Sequence, residues 1–127
     1  MPSGLQRLSF VEDFNQSLEK VVFPSGLLTL ELSTYFNQPM DKVALPNCLQ
    51  NLTFKEYFQH SLEKVALPSG LLFLDIHSCG DRTLEMVALP SGLQRLDIYS
   101  ELAGRKLDKV QFPTSLVRLM VDGYRWL

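Results

Sequence analysis

The residues of this chain that come nearest to reactive chemistry are His77-Ser78-Cys79-Gly80-Asp81, a base, a hydroxyl, a thiol and a carboxylate in one short run. A nucleophilic cysteine needs its base within hydrogen-bond reach and donors for the developing oxyanion. On an extended segment residues two apart share a face, so His77 and Cys79 would point the same way. Nothing completes them: no glycine-rich phosphate loop, paired-carboxylate motif or nucleophile signature accompanies the run. A metal centre would have to draw on Cys48, His60, His77 and Cys79, and none of their spacings recurs as a chelating pair. His60, at a corner, is expected to be solvated. The expectation is a protein that is not an enzyme and uses no metal or cofactor. Arg7, Arg95 and Arg118 are spread among acids and the net charge is -2, so no nucleic-acid footprint is expected either.

What must position such residues is a repeat. Phe58 to Phe73 reads F-Q-H-S-L-E-K-V-A-L-P-S-G-L-L-F, and close versions precede and follow it. Pro2, Pro24, Pro46, Pro68 and Pro90 fall 22 residues apart, and Pro113 follows after 23. A fixed period of this size marks a solenoid, in which one short unit stacks on copies of itself. Aligned on the prolines, the sequence divides into six coils, the first five with two copies of L-x-x-L-x followed by a large apolar residue and the sixth with one. The first coil carries Leu5, Leu8 and Phe10, then Leu18, Val21 and Phe23. The closing pair alternates as a half-buried strand does, and neither half is long enough for a stable helix. The expected fold is a β-rich right-handed solenoid of stacked coils with parallel strands, a short strand on each side of the coil and little or no helix.

Stacking turns sequence columns into ladders. Leu8, Leu30, Leu52, Leu74, Leu96 and Leu119 form one, flanked by the columns beginning at Leu5 and Phe10. The opposite wall takes Leu18, Met40, Leu62, Leu84 and Leu107, then Val21, Val43, Val65, Val87 and Val110. Met1 takes the core place that Phe23 and Leu45 hold in later coils. At the second corner Phe14, Phe36 and Phe58 should stack as a spine, with Asn15, Asn37 and Gln59 beside them to satisfy corner backbone groups. Gly80 and Leu102 break the spine, and an extra residue near 101–106 predicts a bulged edge.

At 127 residues, with 46% hydrophobic and 20% charged content, the chain is read as one solenoid domain, residues 1–127, able to bury a core. Pro, Gly or a charge interrupts every apolar run, so no membrane span is expected. Cys48 and Cys79 occupy non-equivalent repeat positions and are expected as free thiols. With no leader sequence, they point to a cytoplasmic setting.

The pattern L-x-x-L-x-L followed by a polar corner resembles a leucine-rich repeat. More narrowly, Leu45-Pro46-Asn47-Cys48-Leu49-Gln50-Asn51-Leu52-Thr53-Phe54 and Phe36-Asn37-Gln38-Pro39-Met40 resemble the 22-residue FNIP variant, with units L-P-x-x-L-x-x-L-x-F and F-N-x-P-[IL]. The resemblance covers essentially the whole chain. It implies an arc-shaped solenoid that binds another protein on its inner sheet, and no catalytic residues. Ser17, Ser61 and Thr83 depart from the family at the place Pro39 keeps, and the last three coils lose Phe-Asn. No capping unit is recognisable at either end, which raises the expectation of a homodimer through uncapped edges or of a scaffold fragment from a longer array.

The outward positions of the two walls differ. Outside the second, Glu19-Lys20, Asp41-Lys42 and Glu63-Lys64 barely change from coil to coil, as in a solvated scaffold face. Outside the first, the residues diverge toward types enriched in protein interfaces. Phe73, Asp75, His77, Arg95, Asp97, Tyr99 and Arg118, with Tyr57 at the rim, are the expected partner-binding patch. The variable wall is expected to be the concave one.

Overall fold

The computed structural model describes residues 2–77, 86–99, 110–121 and 123–125. Six short strands follow the first half of each coil: β1 (Arg7–Ser9), β2 (Thr29–Glu31), β3 (Asn51–Phe54), β4 (Phe73–Ile76), β5 (Arg95–Ile98) and β6 (Arg118–Val121). They pair in sequence order and parallel, and a two-residue strand β7 (Tyr124–Arg125) completes the sheet. The period dictates the register. Leu8 pairs with Leu30, Leu30 with Leu52, Leu52 with Leu74, Leu74 with Leu96 and Leu96 with Leu119. The structure is thus a parallel-strand β-solenoid, and the described residues contain no helix.

The expectation of a strand on each side of the coil does not hold. Among the described residues the second half-units carry no strand, because their amides are satisfied locally. Val21 donates to the Leu18 carbonyl, Val43 to Met40 and Val65 to Leu62, closing turns at the places where a second ladder would have reached the next coil. The same closure recurs at the other corners. Leu27 donates to Pro24, Leu49 to Pro46 and Leu71 to Pro68, while Phe14 donates to Val11, Phe36 to Ser33 and Phe58 to Lys55. Each proline fixes φ at a turn and withholds a donor that the turn does not use. One strand and three turns therefore make a coil, and all its apolar side chains can point to one interior.

That interior is continuous. Leu27, Leu30, Leu32, Leu49, Phe54, Leu71, Leu74, Leu93 and Leu96 are fully buried, and Leu18, Met40, Leu62 and Val65 close the opposite wall. Burial fades at the first coil, where Leu5, Leu8, Phe10 and Phe14 pack against the core but stay half-buried. The spine forms as expected, with ring centroids 6.3 Å apart for Phe14 and Phe36 and 6.2 Å for Phe36 and Phe58, both pairs stacked nearly parallel. Beside it the Asn15 Oδ1 accepts from the Asn37 amide at 2.8 Å, and the Asn37 Oδ1 from the Gln59 amide at 3.0 Å. These bonds satisfy amides that lie beyond the sheet. The expected bulge near 101–106, the places of Gly80, Leu84, Leu102 and Leu107, and that of Met1 lie outside the described residues.

How tightly the coils stack is legible at two glycines of the same motif. A Cβ on Gly70 would meet the Asn47 carbonyl oxygen at 2.8 Å, whereas one on Gly26 has open space. Gly70→Ala is expected to cost about 1–3 kcal/mol by forcing backbone apart. Gly26→Ala should be neutral or gain about 0.4–1 kcal/mol through the unfolded chain. Paired urea melts of the two variants check this; equal effects would mean that the coils are not in backbone contact at Gly70.

The two edges of the sheet differ. Gly123, at φ +83°, lets the chain reverse, a conformation that disfavours any residue with a Cβ. β7 then pairs antiparallel with β6 through Met120–Arg125 and Val121–Tyr124. β7 thus lies against the last two residues of β6 with its own outer side bearing no described strand. β1 has a described neighbour on one side only.

Candidate functional site

Because side chains alternate along a strand, Leu74 and Ile76 point inward while Phe73 and Asp75 point out, and β5 and β6 repeat the pattern in register. Phe73 lies beside Arg95 and Arg95 beside Arg118; Asp75 lies beside Asp97, and Asp97 beside Met120. The ladder runs one residue past the strand ends, where the His77 amide donates to Phe54 at 2.9 Å and the Tyr99 amide to Ile76 at 2.8 Å. That extension carries both rings onto the same face, with centroids 5.0 Å apart. Tyr57 sits in the turn after β3, its amide donating to Thr34 in the preceding coil. All eight residues expected in the patch thus lie on or beside the outer face of β3–β6.

Two features were not legible in the residue columns alone, and a third, the place of Tyr35, was, because it stands one period before Tyr57. Tyr35 stacks on Tyr57 with centroids 4.8 Å apart, and both remain about half exposed, so it extends the aromatic rim by one coil. Glu56 lies 3.9 Å from His77 Nδ1, an ion pair when the imidazole is charged. Asp97 faces outward yet is only 5% exposed. Arg95, two residues earlier on the same strand, folds over it, with Nε and Nη2 at 3.3 and 3.1 Å from Oδ2. Asp97 is therefore a buried organiser of the patch, while Phe73, Tyr99 and Tyr57 form its exposed part.

The carboxyl pair across β4 and β5 sets the local electrostatics. Burial, then the hydrogen bond to Asp97 and its charge, raise the Asp75 carboxyl from 3.8 to about 6, against the opposing pull of His77 and Arg95. With both groups ionised, Asp97 Oδ1 is buried without a hydrogen-bond partner. A proton on Asp75 lets it donate a hydrogen bond to the Asp97 carboxylate. On β6 the Arg118 Nε is likewise buried without an acceptor among the described residues.

Folding thus tightens the hold on the Asp75 proton, so the stability it contributes is present below about pH 3.8 and is lost as pH rises through about 6. Asp75→Asn, which cannot ionise, should gain melting temperature relative to the parent protein across that window. A difference that stays flat with pH would contradict the pairing.

Of the residues that invited chemistry, Cys48, His60 and His77 are described. Cys48 is a free, exposed thiol whose Sγ donates to the Ser25 carbonyl in the preceding coil. His60 is half-buried and not simply solvated, its Nε2 lying 3.3 Å from the Asn37 carbonyl. Of the run His77 to Asp81 only His77 is among the described residues. Among the described residues no three His, Cys, Asp or Glu side chains gather into a metal-binding group, and no helix is long and apolar enough to cross a membrane. Two shallow grooves lie away from the outward residues of the sheet. One, of about 460 Å³, runs along Val22, Phe23, Leu45, Pro46 and Cys48, and the other passes Met40, His60 and Glu63.

Comparison with known proteins agrees with this architecture. The crystal structure of CroV588, described as a novel circular leucine-rich-repeat protein, is similar, with a TM-score of 0.60 and 26% sequence identity. The match covers 95% of this chain and 21% of that one, so the chain spans about a fifth of its neighbour's length. No curated protein matches. The model of the FNIP Repeat matches residues 1–35 and 36–79, more than half of the 127 residues. With its 22-residue period, its Phe-Asn corners and a leucine ladder in register, the chain belongs to the FNIP repeat family.

Proposed function

We propose that this protein is a non-catalytic protein-binding module that engages its partner through the outer face of β3–β6. The observation that carries this reading is the row of half-exposed aromatic rings, Tyr35, Tyr57, Phe73 and Tyr99, fixed on strands or adjoining turns of one rigid sheet. Such rings offer large contact area at small entropic cost, and beside arginine they are the residue types that anchor interfaces. The leucine-rich-repeat architecture, commonly used for protein interaction, supports the same reading. So does the contrast with the opposite wall, where Glu19, Lys20, Asp41, Lys42, Glu63 and Lys64 are all exposed pairs of opposite charge.

A photo-reactive phenylalanine analogue placed at Phe73, and separately at Val22 on the other side, tests the reading in cell extract. A discrete adduct from position 73 that is missing from position 22 is the expected outcome. Adducts of the same protein from both positions, or from 22 alone, would refute the assignment of the face.

A second reading, self-association, is favoured by one observation: β1 has a described neighbour on one side only, and Leu5, Leu8 and Phe10 of its coil are half-buried. Pairing of β1 with β1 of a second copy would be isologous and give a closed dimer. Light scattering over a concentration series distinguishes the two, a monomer throughout excluding the dimer.

A further inference from the structure

We propose that the Asp75–Asp97 pair is the receptor for a basic side chain, a guanidinium or ammonium presented by the protein partner, and that this cation and a proton compete for the same place. The proposal rests on the reading that the face of β3–β6 binds protein, and it specifies what that face selects.

Three independent features of the geometry carry it. The two carboxyls occupy adjacent rungs, held there by the Asp75–Asp97 register of β4 and β5. Asp97 cannot turn away to solvent, because its side chain is only 8% exposed and its Oδ2 is fixed by Arg95, which leaves Oδ1 buried and without a partner. Phe73 and Tyr99, each 39% exposed, stand on either side of the pair along and across the strands. A ring face attracts a cation, and a desolvated carboxyl pair attracts it more strongly than a solvated one.

The surroundings leave that demand unmet. On β3 the neighbour of Asp75 is the neutral Thr53, with Lys55 and Glu56 beyond it. On its own strand His77 is turned to Glu56 and Tyr99. On β5 the only cation, Arg95, binds Asp97 Oδ2, and on β6 Met120 lies beside Asp97, with Arg118 beside Arg95. With both carboxyls ionised, two acidic charges face one guanidinium, Arg95, and the more distant His77, which is drawn to Glu56 as well. A proton on Asp75 relieves this at low pH, and a partner's cation relieves it at neutral pH. Each excludes the other because both neutralise the same pair.

The test uses the intact protein with N-acetylarginine amide as probe and N-acetylcitrulline amide, its uncharged analogue, as control. Carbon-detected NMR follows the Asp75 and Asp97 carboxyls. The arginine probe should shift both carboxyl signals saturably, with an apparent affinity about tenfold lower at about pH 5 than at about pH 7, as competition with one proton requires. Asp75→Asn should abolish the response while keeping the fold, and citrulline amide should produce none. Equal responses to the two probes, or a response that survives Asp75→Asn, would overturn the proposal. Its failure is distinguishable from failure of the face itself. A partner that cross-links at position 73 and binds Asp75→Asn as tightly as the parent protein would refute the cation site and leave the face standing. Absence of the position-73 adduct would remove the face.

Discussion

Phe58→Ala is expected to destabilise the protein by about 3–5 kcal/mol, the usual cost of removing a fully buried aromatic side chain. Phe58 is 2% exposed and joins two systems at once. It stacks on Phe36 in the preceding coil and on Phe54 of β3, with centroids 6.2 and 4.3 Å away. Its loss opens a cavity where the corner meets the sheet, and the turn that closes on it, Phe58 to Lys55, has no other apolar anchor at that position. Phe14→Ala, at the half-buried end of the same spine, should cost distinctly less. Chemical denaturation of both variants checks the order. Equal costs would mean that the spine is not graded from the end of the stack inward.

The largest effect on binding is expected from removing two exposed rings together. Phe73→Ala with Tyr99→Ala should weaken the partner recovered by cross-linking by about 2–4 kcal/mol, on the order of a hundredfold in Kd. Both rings are 39% exposed, so stability should change by no more than about 1 kcal/mol in total. That separation is what identifies a contact surface. Titration calorimetry for affinity and a thermal melt for stability measure the two terms. A variant that loses both in parallel would make the rings structural.

Much of the fold could be read from the residues because the period does the positioning. Once Pro2, Pro24, Pro46, Pro68 and Pro90 set the phase, the pairing of Leu30 with Leu52 and of Phe73 with Arg95 follows by counting. The Phe spine and the Asn15–Asn37–Gln59 corner bonds follow in the same way. What failed was the assumption that equal apolar spacing means equal backbone. Leu18, Val21 and Phe23 space like Leu5, Leu8 and Phe10, yet the first set closes a local turn and the second leads into a ladder. Apolar spacing reports which side chains are buried and leaves open whether an amide is satisfied within its coil or by the next one.

The site shows the same division. Alternation correctly put Phe73, Asp75, Arg95, Asp97 and Arg118 on one face, but outward does not mean exposed. Asp97 is buried because Arg95 reaches two residues along the strand to cover it, a contact set by side-chain length and rotamer that no column reveals. Tyr35 shares the column of Tyr57 one period earlier, and the structure adds that the two rings stack. The chain reversal into β7 passes through Gly123, whose positive φ the residue columns did not announce.

The measurement that tests the central claim most directly is the amide-exchange footprint of the bound partner. The account predicts added protection in residues 51–58, 73–77, 95–99 and 118–121, with the opposite wall at 19–22, 41–44 and 63–66 unchanged. Protection on that wall, with the strands of the sheet exchanging as in the free protein, would contradict it.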